Sequence, residues 1–249
     1  MATTSSFPAL SFSRPSKMPG LSFGLPAGRS CPGRAASLRA KNSVCARCYA
    51  KKGFYPTRTV REPRDRNLST IRRYLRHGGP RTLARALLRD GIRNLSPRDW
   101  ESAGPSGPPC LFVRIHDSGD VFCRSYGFAL ARAARIAHRL ARRRGVKLHL
   151  WAPTKAHVVG ALRPALSAMA RAGIIVRPSA GAVDGPVPHM VGLAGGMGVF
   201  SRGNAPSTLV PGTFVCPVRH DPGSPRACRE AGCRACWLWP EARIWFEVH

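Results

Sequence analysis

Apolar residues change their spacing along the middle of the chain in the order strand, helix, strand, helix, strand. Leu111-Phe112-Val113-Arg114-Ile115 is a short β-rich run. From Arg124 to Arg144, Tyr126, Leu130, Ala134, Ala137 and Ala141 fall on one side at about 100° per residue. Arg132, Arg135, Arg139, Arg142 and Arg143 fall on the other. Gly145 ends that helix, and Lys147 to Trp151 reads as the next strand. Val159, Leu162, Leu166 and Met169 stripe a second helix, which Pro164 is expected to bend and Gly173 to cap. Ile174-Ile175-Val176 forms a third strand. This alternation predicts an α/β fold, a mainly parallel sheet with covering helices, either open or rolled into a partial (βα) barrel.

The flanks are less periodic. Between Asn67 and Gly91 the pattern turns helical: Pro80 suits a first turn, Leu83, Leu87 and Leu88 share a face, and Gly91 suits a C-terminal cap. The stretch from Leu95 to Pro109 carries Pro-containing turns and reads as a connection. Leu21 to Leu25 alternates as a strand or extended lead-in, and the Gly/Pro-rich chain beyond Ser179 yields no assigned element. The expected organisation is a lead-in over 1–20, one α/β domain over 21–240 and a tail over 241–249.

Composition narrows the class. At 249 residues with 43% hydrophobic positions, the chain is long and apolar enough to bury a core, which argues against wholesale disorder. No apolar run approaches the roughly 18–20 residues of a membrane-crossing helix, and no membrane association is expected. Lys and Arg number 40 against 12 Asp and Glu, a formal charge of +28. A GC-rich coding bias accounts for Arg over Lys but not for the scarcity of acids. A nucleic-acid partner is therefore expected, with Arg132, Arg135, Arg139, Arg142 and Arg143 as the contacting face. The Ser/Thr-rich start lacks the continuous apolar segment of a secretory signal. The expected location is the cytoplasm, bacterial or of a phage host, where thiols stay reduced.

Nine cysteines fall into two groups and two singles. Cys31, Cys45 and Cys48 lie near the start, and Cys216, Cys228, Cys233 and Cys236 near the end; each group contains one C-x-x-C pair. Such a turn lets two thiolates grip one ion. The C-terminal four could complete a tetrahedral zinc site alone. The N-terminal three leave a position open, as in a catalytic metal site or an iron–sulfur cluster with one free iron. The two groups could also pool into one site. Cys110 and Cys123 border strand and helix and read as core residues.

Ligands gather at the carboxyl ends of parallel strands. His116, Asp117, Ser118, Gly119 and Asp120 follow the first βα strand, Thr154 and Lys155 the second, and Ser179 the third. His116, Asp117, Ser118, Asp120 and Lys155 are the candidate catalytic residues, with Gly119, Thr154 and Ser179 as candidate ligand-binding positions. Helix capping by Ser118 or Asp120 is the competing explanation.

Three strings resemble the bacteriophage and plasmid gene product 88 family: Leu25-Pro26-Ala27-Gly28-Arg29-Ser30-Cys31-Pro32-Gly33, Cys45-Ala46-Arg47-Cys48-Tyr49-Ala50, and Arg114-Ile115-His116-Asp117-Ser118-Gly119-Asp120-Val121-Phe122. The ending Cys233-Arg234-Ala235-Cys236-Trp237 is similar too, and Pro153 is a departure. The resemblance implies a mobile-element protein and transfers no reaction. A remoter similarity is to radical S-adenosylmethionine enzymes, with Cys31, Cys45 and Cys48 holding the cluster. The 13 residues between Cys31 and Cys45 depart from the three usual there. The expected cofactor is zinc or an iron–sulfur cluster, with S-adenosylmethionine only under this alternative. A zinc-stabilised scaffold without catalysis is the third reading.

Overall fold

In the computed structural model, residues 7–96, 99–102, 108–206, 211–219 and 222–248 are described. The alternation within Pro109–Ile115 (β3) decides the architecture, because each face meets a different covering layer. Val113 and Ile115 join the larger core, with Leu150 and Ala152 of β4 (Lys147–Thr154) and Ile174 and Val176 of β5 (Ile174–Pro178). Cys110 and Phe112, with Trp151, belong to a second core on the opposite face.

The sheet runs β1 (Leu21–Phe23), β3, β4, β5, all parallel, with Leu21 opposite Val113, Cys110 opposite Lys147 and Leu150 opposite Ile174. β2 (Trp100–Ser102) pairs antiparallel with the first residues of β3, on the edge that β1 takes further along. A strand therefore lies within the segment read as a plain connection. Its pairing with β3, rather than any local periodicity, creates it.

Helices cover the larger core. After the short α1 (Arg34–Leu38) come α2 (Arg58–His77), α3 (Gly79–Arg93), α4 (Arg124–Arg143) and α5 (Arg163–Arg171). Leu68, Ile71, Leu83, Leu87, Leu130, Leu166 and Met169 project from them into it. α4 matches the sequence periodicity, and Gly145 follows it at φ 68. α2 starts earlier than expected, at Arg58.

Two single-residue expectations are corrected. Gly91 does not cap α3, which continues to Arg93; a Cβ there would stand 3.3 Å from the Phe12 ring, so the glycine makes room for packing. Pro164 does not bend a helix. It lies in the first turn of α5, where its missing N–H is not needed, and two 3-10 turns precede it.

Beyond Ser179 the chain forms β6 (Met197–Phe200), β7 (Thr213–Val215), α6 (Ala235–Leu238) and β8 (Arg243–Glu247). β8 is the middle strand of a three-stranded parallel sheet, so residues 241–249, expected as a tail, hold the element that joins β6 to β7. The lead-in is also tied down: Leu10 is buried, and its N–H donates to Asp90 Oδ2 at 2.8 Å. A bridge between Ser179 and Met197 links β5 to β6, but among the described residues no strand joins β5 back to the free edge of β1. The barrel alternative is thereby corrected. The sheet stays open, and α6 with Ile244 of β8 packs on the face a barrel would enclose.

Candidate metal centre and strand-end rim

Asp120 ties the rim together. Its Oδ1 accepts from Val121 N and Thr154 Oγ1, both at 2.7 Å. Its Oδ2 accepts from Lys155 N at 2.7 Å and Ala156 N at 3.0 Å. One carboxylate thus clamps the β3 loop to the β4 loop. Burial pushes its pKa up from the ordinary carboxylate range, and these donors pull against that shift. Ser179 N donates to Thr154 O at 2.8 Å, which adds the end of β5.

The first cysteine loop lies on this rim. Leu25 N donates to Ser118 O at 2.9 Å, and Ser118 Oγ returns a bond to Leu25 O at 2.7 Å. Gly119 has φ 77, and a Cβ on it would stand 2.5 Å from Leu25 Cβ and Ser30 Oγ. Gly33 approaches Lys155 so closely that a Cβ would be 2.1 Å from its carbonyl oxygen. Cys31 is held between these contacts, its Sγ accepting from Gly28 N at 3.3 Å. Burial pushes the Cys31 thiol up to about 11; Gly28 opposes the shift, and Asp120, Cys48 and Cys45 add to it.

His116 turns beneath the rim. It adopts φ 66, and its Nε2 shares a hydrogen bond with Tyr126 of α4 at 2.9 Å. Its Nδ1 is buried without a hydrogen-bond partner among the described residues. Burial and the charge of Arg114 hold the imidazole neutral, with its pKa lowered to about 3. Asp117 Oδ2 accepts from Arg64, and its main-chain oxygen accepts from Tyr49, the residue after the first C-x-x-C pair. Arg114 Nη2 in turn donates to the Tyr49 hydroxyl at 3.0 Å, while its guanidinium lies 4.7 Å from the Trp151 ring centre. Tyr49 and Arg114 lie within the strings that resemble the family but are not among the candidate site residues, and Arg64 is in neither; an arginine within an apolar strand run is the available signal.

Cys233 and Cys236 of the second group pack on the sheet face that carries Phe112 and Trp151. Cys216 N donates to Trp245 O at 2.8 Å, and Cys233 N to Cys228 O at 3.1 Å. Cys236 is in α6, beside Trp237, which packs edge-on against Phe112 and Trp151. Burial raises the Cys236 and Cys228 thiols and takes Cys216 to about 12, and each of the three also feels another thiol of the group. Arg114 acts on Cys228 and Cys236 in the opposite direction.

Arg177, on β5, is fully buried against this group. Its guanidinium donates to Gly195 O at 2.8 Å and Ala242 O at 2.7 Å, and also to Trp239, Cys236 and Ala235 carbonyls. Every hydrogen-bond acceptor it has among the described residues is a main-chain oxygen. All nine cysteines are free, and among the described residues no three His, Cys, Asp or Glu side chains converge closely enough to hold a metal ion. Cys110 is buried in the second core, and Cys123 packs partly buried against the first.

The strings from Leu25 to Gly33, from Cys45 to Ala50 and from Arg114 to Phe122 thus contribute to one rim. Residues 2–237 match the family described as Gene product 88. The chain belongs to that family. No curated protein and no solved structure matches it. The similarity to radical S-adenosylmethionine enzymes gains no support from the match.

In this Gene product 88 chain, Arg132, Arg135, Arg139, Arg142 and Arg143 are all exposed on α4, opposite the face that enters the core. They lie on the helical layer, away from the sheet face that carries the cysteines. No helix among the described residues is long and apolar enough to cross a membrane.

Proposed function

We propose that this is a metal-bearing, mobile-element-type protein that acts on or beside nucleic acid in the cytoplasm of its host. The cysteines supply thiolates to zinc or an iron–sulfur cluster on the sheet face near the strand ends, and the arginine-covered helices supply affinity for phosphate.

Arg177 carries this reading. A buried guanidinium without a carboxylate costs several kcal/mol unless an anion compensates it. Cys236 and Glu241 are the charges that act favourably on Arg177, and Cys236 belongs to the group of Cys216, Cys228 and Cys233. Four thiolates on a divalent ion carry a net charge of about −2, the sign the buried Arg177 and neighbouring Arg114 require. The Gly28 N–H directed at Cys31 Sγ is what a thiolate ligand would use. A bound cation would draw these thiols together as it displaced their protons.

Anaerobic purification followed by elemental analysis and an absorption spectrum tests the proposal. Brown protein with visible absorption indicates an iron–sulfur cluster, and colourless protein with stoichiometric zinc indicates a zinc site. Protein containing neither metal refutes the reading. Zinc without any nucleic-acid binding would reduce it to a stabilised scaffold.

A further inference from the structure

The outer face of the helical layer holds a groove of about 460 Å³ where the start of α3 meets α4 and α5. Its lining includes Arg81, Phe128, Arg132, Arg135 and Ala168. Phe128 is 38% exposed, although the opposite side of α4 offered buried apolar contacts. On α4, Phe128 heads a stripe that continues through Arg132, Arg135, Arg139 and Arg142, spanning about 21 Å of helix.

The electrostatics of the three elements agree. α4 and α5 contain no acid, and the single acid of α3, Asp90, is buried and bonded to Leu10 N and Arg89. Nothing on these helices offsets the charge of the groove. An exposed aromatic ring among arginines suits an unstacked base with phosphates on both sides. A duplex keeps its bases stacked, and a lipid headgroup has no flat ring to place on Phe128.

We propose that this groove binds single-stranded nucleic acid, with one base stacked on Phe128 and the following phosphates tracking Arg132, Arg135 and Arg139. This site rests on the nucleic-acid reading above and gives it a place and a strand type.

Fluorescence anisotropy with labelled 20-mers of oligothymidylate, oligouridylate and a DNA duplex, using the full chain, tests it. The wild type is expected to bind one or both single strands more tightly than the duplex, and comparison of the two strands separates DNA from RNA. Phe128→Ala should weaken single-strand binding roughly tenfold and leave duplex binding unchanged, while Phe128→Trp restores it. Arg132→Ala with Arg135→Ala should reduce the slope of log single-strand affinity against log salt by about 1.4. Circular dichroism melting confirms that each variant folds. Equal single-strand affinity in wild type and Phe128→Ala overturns this site while leaving nucleic-acid binding elsewhere intact. Absence of binding to every probe removes the broader reading as well.

Discussion

Replacing Asp120 with Asn changes one buried atom pair and separates a bracing role from a chemical one. The Asn carbonyl can still accept from Val121 N and Thr154 Oγ1, which both reach Oδ1 at 2.7 Å. The amide nitrogen then faces Lys155 N and Ala156 N, the two donors that Oδ2 accepts. Each buried donor left without an acceptor costs about 1–3 kcal/mol. Ala156 N keeps a second acceptor, Thr154 Oγ1 at 2.9 Å, so its loss is softened. The expected destabilisation is therefore about 2–4 kcal/mol, read from the urea midpoint at constant m-value. Asp184→Asn is the control: its oxygens accept from Ser201 N, Ser201 Oγ and Asn204 at an exposed site, where the loss of a donor's acceptor is made good by water, and it should cost less than about 1 kcal/mol. An Asp120→Asn variant within about 0.5 kcal/mol of wild type would refute the clamp and return Asp120 to the catalytic candidates.

Other consequences are equally open to measurement. His116 is neutral in the folded protein, with its pKa lowered to about 3, whereas an unfolded imidazole titrates near about 6.5. Below that pH the unfolded chain takes up a proton that the folded chain refuses. Stability should fall by up to about 1.4 kcal/mol per unit between about pH 6.5 and 3. His116→Asn, compatible with the positive φ, should remove that component; a wild-type-minus-variant difference that stays flat from about pH 6.5 to 4.5 contradicts this. Gly119→Ala should lower stability by about 2–4 kcal/mol through strain and collision with Leu25 and Ser30, and should raise the reactivity of Cys31 toward a thiol reagent. Gly160→Ala, which meets nothing, should do neither. Arg177→Met should weaken metal retention at least tenfold in a chelator competition; unchanged retention would show that the guanidinium does not compensate thiolates.

The parts of the fold readable from the chain are those with enough length to display a period. α4 runs for 20 residues with seven buried positions on one side, and β3, β4 and β5 each pair at their expected places. β2, β6 and β7 span three or four residues, too few for a pattern, and exist because a neighbouring backbone accepts their hydrogen bonds. The candidate site divides in the same way. His116 through Asp120, Thr154 and Ser179 were visible as residues at strand ends, and the structure links those ends. Arg114 stands inside an expected strand run, but only the fold brings Tyr49 and Trp151 to it, and Arg177 falls just past the expected strand Ile174-Ile175-Val176. The role of Arg177 depends on α6 and residues near 240 folding back over the sheet, a contact between parts of the chain about 60 residues apart.

The same long-range packing explains why so few acids leave so basic a surface. Of the 12 acids, Asp90, Asp99, Asp117, Asp120 and Glu247 are buried. Asp90 accepts from Leu10 N, Asp99 from Arg14 and Ser96 N, and Asp120 from its four donors. Glu62, Asp65 and Glu101 each face an arginine. Acids in this chain act as acceptors within the fold, and few remain to neutralise the outer helical layer. A coding bias toward arginine would scatter basic residues without regard to where acids lie. Here the face formed by α3, α4 and α5 is free of exposed acid across three separate helices, and its exposed Phe128 lies at the head of the arginine stripe. That coincidence separates a phosphate-binding surface from a merely solvated one, and it makes the loss of single-strand binding in Phe128→Ala the decisive measurement.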